Sequence, residues 1–174
     1  MQINGFILVL PILFIRFGIL SILSKEAVKR AAFYPPTEGN EKIAYWIYQI
    51  TTLFLIAIPF FVKVKLNDTL SIIGLGIYIS GMILYAISII QFAKPNQNRL
   101  NIEGLYKISR NPMYIAFFLC FLGVGMITGS WLLLFTLIIF QVSVHYLILS
   151  EERWCIKEFG DEYIKYMNKV RRYI

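Results

Sequence analysis

Apolar runs about twenty residues long dominate the chain, and few folds accept them. A hydrocarbon core about 30 Å thick needs roughly 20 mainly apolar residues per helical crossing, because an α-helix rises about 1.5 Å per residue. Three runs meet that length between charged or polar flanks, at 5–23, 43–62 and 70–92. The next, Met113 to Leu149, is too long for one crossing and is interrupted at Gly123, Gly125, Gly129 and Ser130. It predicts a tight helical hairpin over 113–127 and 130–149. The expected fold is an all-α integral membrane bundle of about five transmembrane helices, one domain over 1–174. A water-soluble domain with 58% hydrophobic and 16% charged residues would expose large apolar patches.

With five crossings, the loop 24–42, the loop 93–112 and the tail from Ser150 share one side. They carry fourteen of the seventeen Lys and Arg residues. Lys63 and Lys65 fall on the other side, and Arg16 lies within the first helix, where it must snorkel or face the bundle. The positive-inside bias therefore assigns the loops and tail to the cytoplasm and the N-terminus to the opposite side. The net charge of +7 follows from this topology and from attraction to anionic headgroups. No basic stripe lies outside the membrane flanks, so nucleic acid is not an expected partner.

Met1 to Gly5 carries no Lys or Arg, so the first run is expected to stay as a helix rather than serve as a cleaved leader. Pro35 and Pro36 mark the first loop as a connector. Cys120 and Cys155 stand at different depths without metal-ligand spacing, so neither a disulfide nor a metal site is expected. Small residues four apart, Gly76 with Ser80 and Gly125 with Gly129, predict close helix approach. The tail 151–174 mixes aromatic and basic residues, as in an interfacial helix.

Two polar clusters meet the same face: Asn98 to Tyr114, and Glu151 with Glu152. The hairpin brings Arg110, Asn111 and Tyr114 near both glutamates. Such a pocket offers a cation for a carboxylate, carboxylates for an ammonium and tyrosine rings for a sulfonium. Those are the functional groups of S-adenosylmethionine. The plainer alternative is that Arg110 and the glutamates simply pair with one another.

The stretch Gly104-Leu105-Tyr106-Lys107-Ile108-Ser109-Arg110-Asn111-Pro112-Met113-Tyr114 resembles the G-x-Y-x-x-x-R-H-P-x-Y block of a family of membrane methyltransferases, the isoprenylcysteine carboxyl and phospholipid methyltransferases. A second block, Glu151-Glu152, Phe159-Gly160-Asp161-Glu162-Tyr163, Tyr166, Val170 and Arg172, resembles the family's E-E, F-G-x-E-Y, x-x-Y and V-x-R. The resemblance covers about 98–174 and implies S-adenosylmethionine as cofactor. It implies cofactor contacts from Leu100, Tyr106, Asn111, Pro112, Met113, Tyr114 and Glu151, and catalytic roles for Glu151, Glu152 and Arg110. The implied partner is a membrane lipid or a lipidated or apolar small molecule reaching a cytoplasm-facing site through the bilayer.

Arg172 and His145, the only histidine, are the candidate acceptor contacts, although His145 also fits a structural hydrogen bond. Tyr163, Tyr166 and Arg172 are candidates for closing over the cofactor. Three departures stand out. Asn111 replaces the motif histidine and cannot titrate near neutral pH. Asn98-Arg99-Leu100-Asn101 keeps only the leucine of the family's H-x-L-V. Leu147 occupies the place of an arginine that precedes the glutamates in the prenylcysteine branch. Two alternatives remain open: an NADPH-dependent membrane reductase of related fold, and a non-catalytic membrane assembly protein.

Overall fold

A computed structural model describes residues 3–94 and 100–174. Their helices are α1 (Gly5–Leu23), α2 (Lys25–Ala32), α3 (Glu41–Phe61), α4 (Thr69–Ala93), α5 (Pro112–Thr128), α6 (Trp131–Phe159) and α7 (Asp161–Lys169). A 3-10 turn, Gly104–Lys107, precedes α5. The chain forms the all-α membrane bundle its apolar runs predict. α1, α3, α4 and α6 are long and apolar enough to cross a bilayer. α5, with 17 apolar-rich residues, spans about 26 Å as their shorter companion.

Two boundaries differ from the sequence expectation. The first loop is not a simple connector: Ser24 caps α2 by accepting from Ala27 N, and only beyond Ala32 does the chain run extended into Pro35 and Pro36. More consequentially, α6 does not end near Leu149. No glycine or proline interrupts it until Gly160, so its 29 residues run about 44 Å, farther than the hydrocarbon is thick. Glu151 and Glu152 thus sit on a rigid helix rather than in a tail.

α4 packs along α5, and α3 along α6. The α4–α5 contact is backbone on backbone. A Cβ on Gly81 would stand 2.7 Å from Cys120 N, and one on Gly123 would stand 2.6 Å from Tyr78 Cβ. In lipid, where apolar burial gives helices little reason to associate, such close approach supplies the dispersion contacts that do. Of the small-residue pairs singled out by spacing, Gly76 and Ser80 face outward, with nothing among the described residues within 4 Å of a Cβ on Gly76. Gly125 instead meets Leu134 across the hairpin. Gly81→Val should therefore cost about 1–3 kcal/mol, read as a lower unfolding midpoint in mixed micelles, whereas Gly76→Ala should leave that midpoint unchanged.

One end of the bundle is closed by backbone: Gly5 N donates to Val62 O (2.8 Å), Val64 N to Ile3 O (2.9 Å) and Lys65 N to Ile127 O (3.0 Å). The opposite end carries α2, the 3-10 turn and α7, and there the polar side chains gather.

Candidate functional site at the foot of the α5–α6 hairpin

The two motif blocks converge on Glu152. Its carboxylate is nearly excluded from solvent and accepts from Arg110 Nη2 (2.7 Å) and Nε (3.1 Å) on one side and from Arg172 Nη2 (2.7 Å) on the other. Arg110 Nη1 also donates to the carbonyls of Met167 (3.0 Å) and Val170 (2.6 Å), which the end of α7 leaves without helical partners. The segment after α7 then runs beside the start of α5. Arg110 N donates to Arg171 O (3.0 Å), and Asn111 Nδ2 donates to Arg172 O (3.0 Å). Bonds to Glu152 hold the Arg172 guanidinium above its usual range.

Glu151, one residue earlier, turns elsewhere. Tyr114 Oη donates to its Oε1 at 2.8 Å, linking the feet of α5 and α6. The neighbouring glutamates are thus divided between two environments, one in an arginine clamp and one against a phenol. Glu151 is also within electrostatic reach of Arg16 from α1, and Arg16 of Tyr34, Tyr48, Tyr85 and Tyr114. Six separate segments send polar groups to this one interior cluster. Spacing did not single out Tyr34, Tyr48 or Tyr85, whose only sequence signal was phenol-bearing rings within or beside apolar runs.

The 3-10 turn supplies the remaining motif positions. Gly104 has φ of 62°, and a Cβ there would collide with the Gln91 side chain, whose Oε1 accepts from Leu105 N (2.8 Å). Only glycine satisfies both demands. The turn buries Tyr106, whose carbonyl accepts from Tyr166 Oη (2.7 Å). Tyr106 Oη itself is buried without a hydrogen-bond partner among the described residues, as is Asn101 Oδ1. Both residues line a cavity of about 320 Å³ with Ile90, Gln91 and Glu103. Burial pushes the Tyr106 phenol above its ordinary range, so it remains an O–H donor at neutral pH.

Leu100 is buried near the start of this loop. Asn98 and Arg99 of the aligned quartet lie outside the described residues. Pro112 is the first residue of α5, where its missing N–H costs no helical bond, and Met113 packs on the hydrophobic core. Asn111, in place of the motif histidine, is turned to the C-terminal backbone. His145 Nδ1 lies 2.9 Å from Tyr173 Oη, so it meets the chain's last residues. Leu147 is buried.

The sequence model of the phospholipid methyltransferase family matches residues 47–162. Protein-S-isoprenylcysteine O-methyltransferase of Schizosaccharomyces pombe is 31% identical over 120 residues, 65% of this chain and 50% of that protein. The chain thus spans about half the length of this curated relative. The family match includes Tyr106, Arg110, Tyr114, Glu151 and Glu152 but not α1.

Proposed function

The chain belongs to the phospholipid methyltransferase family, and from that premise we propose that it moves a methyl group from S-adenosylmethionine to a lipidic or small apolar acceptor at the cytoplasmic surface of a membrane. The observation that carries the cofactor assignment is the pair of buried groups beside one cavity that have no partner among the described residues. Tyr106 Oη offers a donor and Asn101 Oδ1 an acceptor. A buried polar atom without a partner costs about 1–3 kcal/mol, so an uncompensated pair is tolerated where a ligand completes it. S-adenosylmethionine matches in kind, having hydroxyl and carboxylate oxygens for the phenol and an exocyclic amine for the amide oxygen.

When bound, S-adenosylmethionine supplies an electrophilic methyl group on a sulfonium sulfur. The protein's work is then alignment and exclusion of water, worth on the order of 7 kcal/mol or more. Arg110, Glu152 and Arg172 act as positioning residues: they fasten the end of α7 to the foot of α5 and so fix the turn that carries Tyr106. Glu151 is the group left for the reacting atoms. Tyr114 takes its Oε1, and among the described residues Oε2 is unclaimed, available to accept the proton of an amine acceptor. A thiolate or carboxylate acceptor needs no such base. Acceptors soluble in lipid and a cofactor soluble in water meet at this boundary, which explains a site at a helix foot.

Calorimetric titration of S-adenosylmethionine and, separately, NADPH into the purified protein tests this reading. Micromolar binding of the former, roughly 8 kcal/mol, is expected. Tyr106→Phe should weaken it about tenfold, the worth of one hydrogen bond. Binding of NADPH in its place would make the protein a reductase, and binding of neither would leave a membrane protein of this fold without turnover.

A further inference from the structure

Arg16 lies outside the family match and is not used by the clamp. It sits in a π-helical turn of α1, Phe14–Ile19, a wider turn that inserts a residue and is often found at functional positions. The consequence is visible in the burial pattern. α1 buries Val9, Ile12 and Ile15 at the usual stride, then Leu20 five residues on, while Phe14 and Phe17 face outward. Without the extra residue, the second half of α1 would present a different face to the bundle. Arg16 Nη2 donates to Ala31 O (3.2 Å) in the last turn of α2, so the side chain runs toward the end that holds Glu151.

A cation inside a membrane bundle is costly unless paired. Arg110, Arg153 and Arg172 each have a carboxylate within 2.7 Å. Among the described residues Arg16 is in no ion pair: a carbonyl and phenols surround it, and Glu151, which feels its charge, is bonded to Tyr114. The bond to Ala31 O and the hydrogen bond with the Tyr85 hydroxyl leave a five-donor fork incompletely used. Bidentate donation to a carboxylate or phosphate is what such a fork does best.

We propose that Arg16 anchors a fixed anionic group, carboxylate or phosphate, on a lipid-soluble acceptor, with Tyr34, Tyr48 and Tyr85 around it. The inference rests on the methyltransferase reading for the acceptor's purpose but not for its binding. It assigns α1, outside the family match, the selection of an anionic amphiphile.

The test is calorimetric binding of hexadecanoate, hexadecyl phosphate and hexadecanol to the purified protein in detergent, with and without S-adenosylmethionine, for the native chain, Arg16→Gln and Arg16→Lys. At least one anion should bind the native chain ten or more times more tightly than the alcohol, and the better anion names the headgroup. Arg16→Gln should erase that preference and leave alcohol and S-adenosylmethionine binding within threefold. Arg16→Lys should keep part of the preference. A native chain without anion preference, or a preference that survives in Arg16→Gln, overturns the proposal and leaves Arg16 as a cap on α2. If Arg16→Gln does not fold, the native comparison and Arg16→Lys decide: full preference in the lysine variant would make the fork irrelevant. Loss of S-adenosylmethionine binding in the native chain would sink the methyltransferase reading while the anion preference stood.

Discussion

Glu152→Gln should destabilise the protein by about 3–5 kcal/mol, the range for removing one partner of a buried ion pair. The glutamine keeps the shape but leaves Arg110, whose side chain is 8% exposed, with a positive charge and no counter-charge. The other member of the clamp predicts a contrast. Arg172 is 30% exposed, so water screens its pairing, and Arg172→Gln should cost about 1 kcal/mol or less. Unfolding midpoints in mixed micelles measure both. Equal losses in the two variants would mean that Glu152 is not the buried hub. Because the clamp fastens the end of α7, Glu152→Gln should also speed proteolysis after Lys169 before the bundle itself opens.

Glu151→Gln carries the largest expected effect on activity. If Glu151 takes a proton from the acceptor, methyl transfer to an amine should fall by about 10²- to 10⁴-fold, the usual worth of a positioned base. Stability should change little by comparison, since glutamine can still accept from Tyr114. Tyr114→Phe should cost less activity, because the carboxylate remains and loses only the phenol that orients it. Turnover with a matched thiol acceptor supplies the internal control. A thiolate needs no base, so Glu151→Gln should spare it far more than the amine. An equal loss with both acceptors would reassign Glu151 to cofactor binding, and retention of more than a tenth of the amine activity would remove it from the reacting centre.

Much of the architecture was legible because membrane crossing imposes a length and an apolarity that few alternatives satisfy. The hairpin was visible in Gly129 and Ser130, and the family in the order of two short blocks. The continuation of α6 through Glu151 and Glu152 was also within reach, since ten residues free of glycine and proline follow Leu149. The helix-packing glycines were not. Gly74, Gly81 and Gly123 make the close contacts while Gly76 faces outward, because in a helix apolar all round the sequence carries no signal for which side meets a neighbour.

By itself the sequence determined the all-α membrane class, the unequal distribution of basic residues and the family to which the chain belongs, because each follows from local composition or order. Only the tertiary structure decided how adjacent glutamates divide their partners, Glu152 with Arg110 and Arg172, Glu151 with Tyr114. It also brought Arg16 toward Glu151 across the length of the chain and left Tyr106 Oη without a partner among the described residues. Neighbours on a helix point about 100° apart, so two equal letters enter different surroundings, and what each one meets is set by segments far away in sequence.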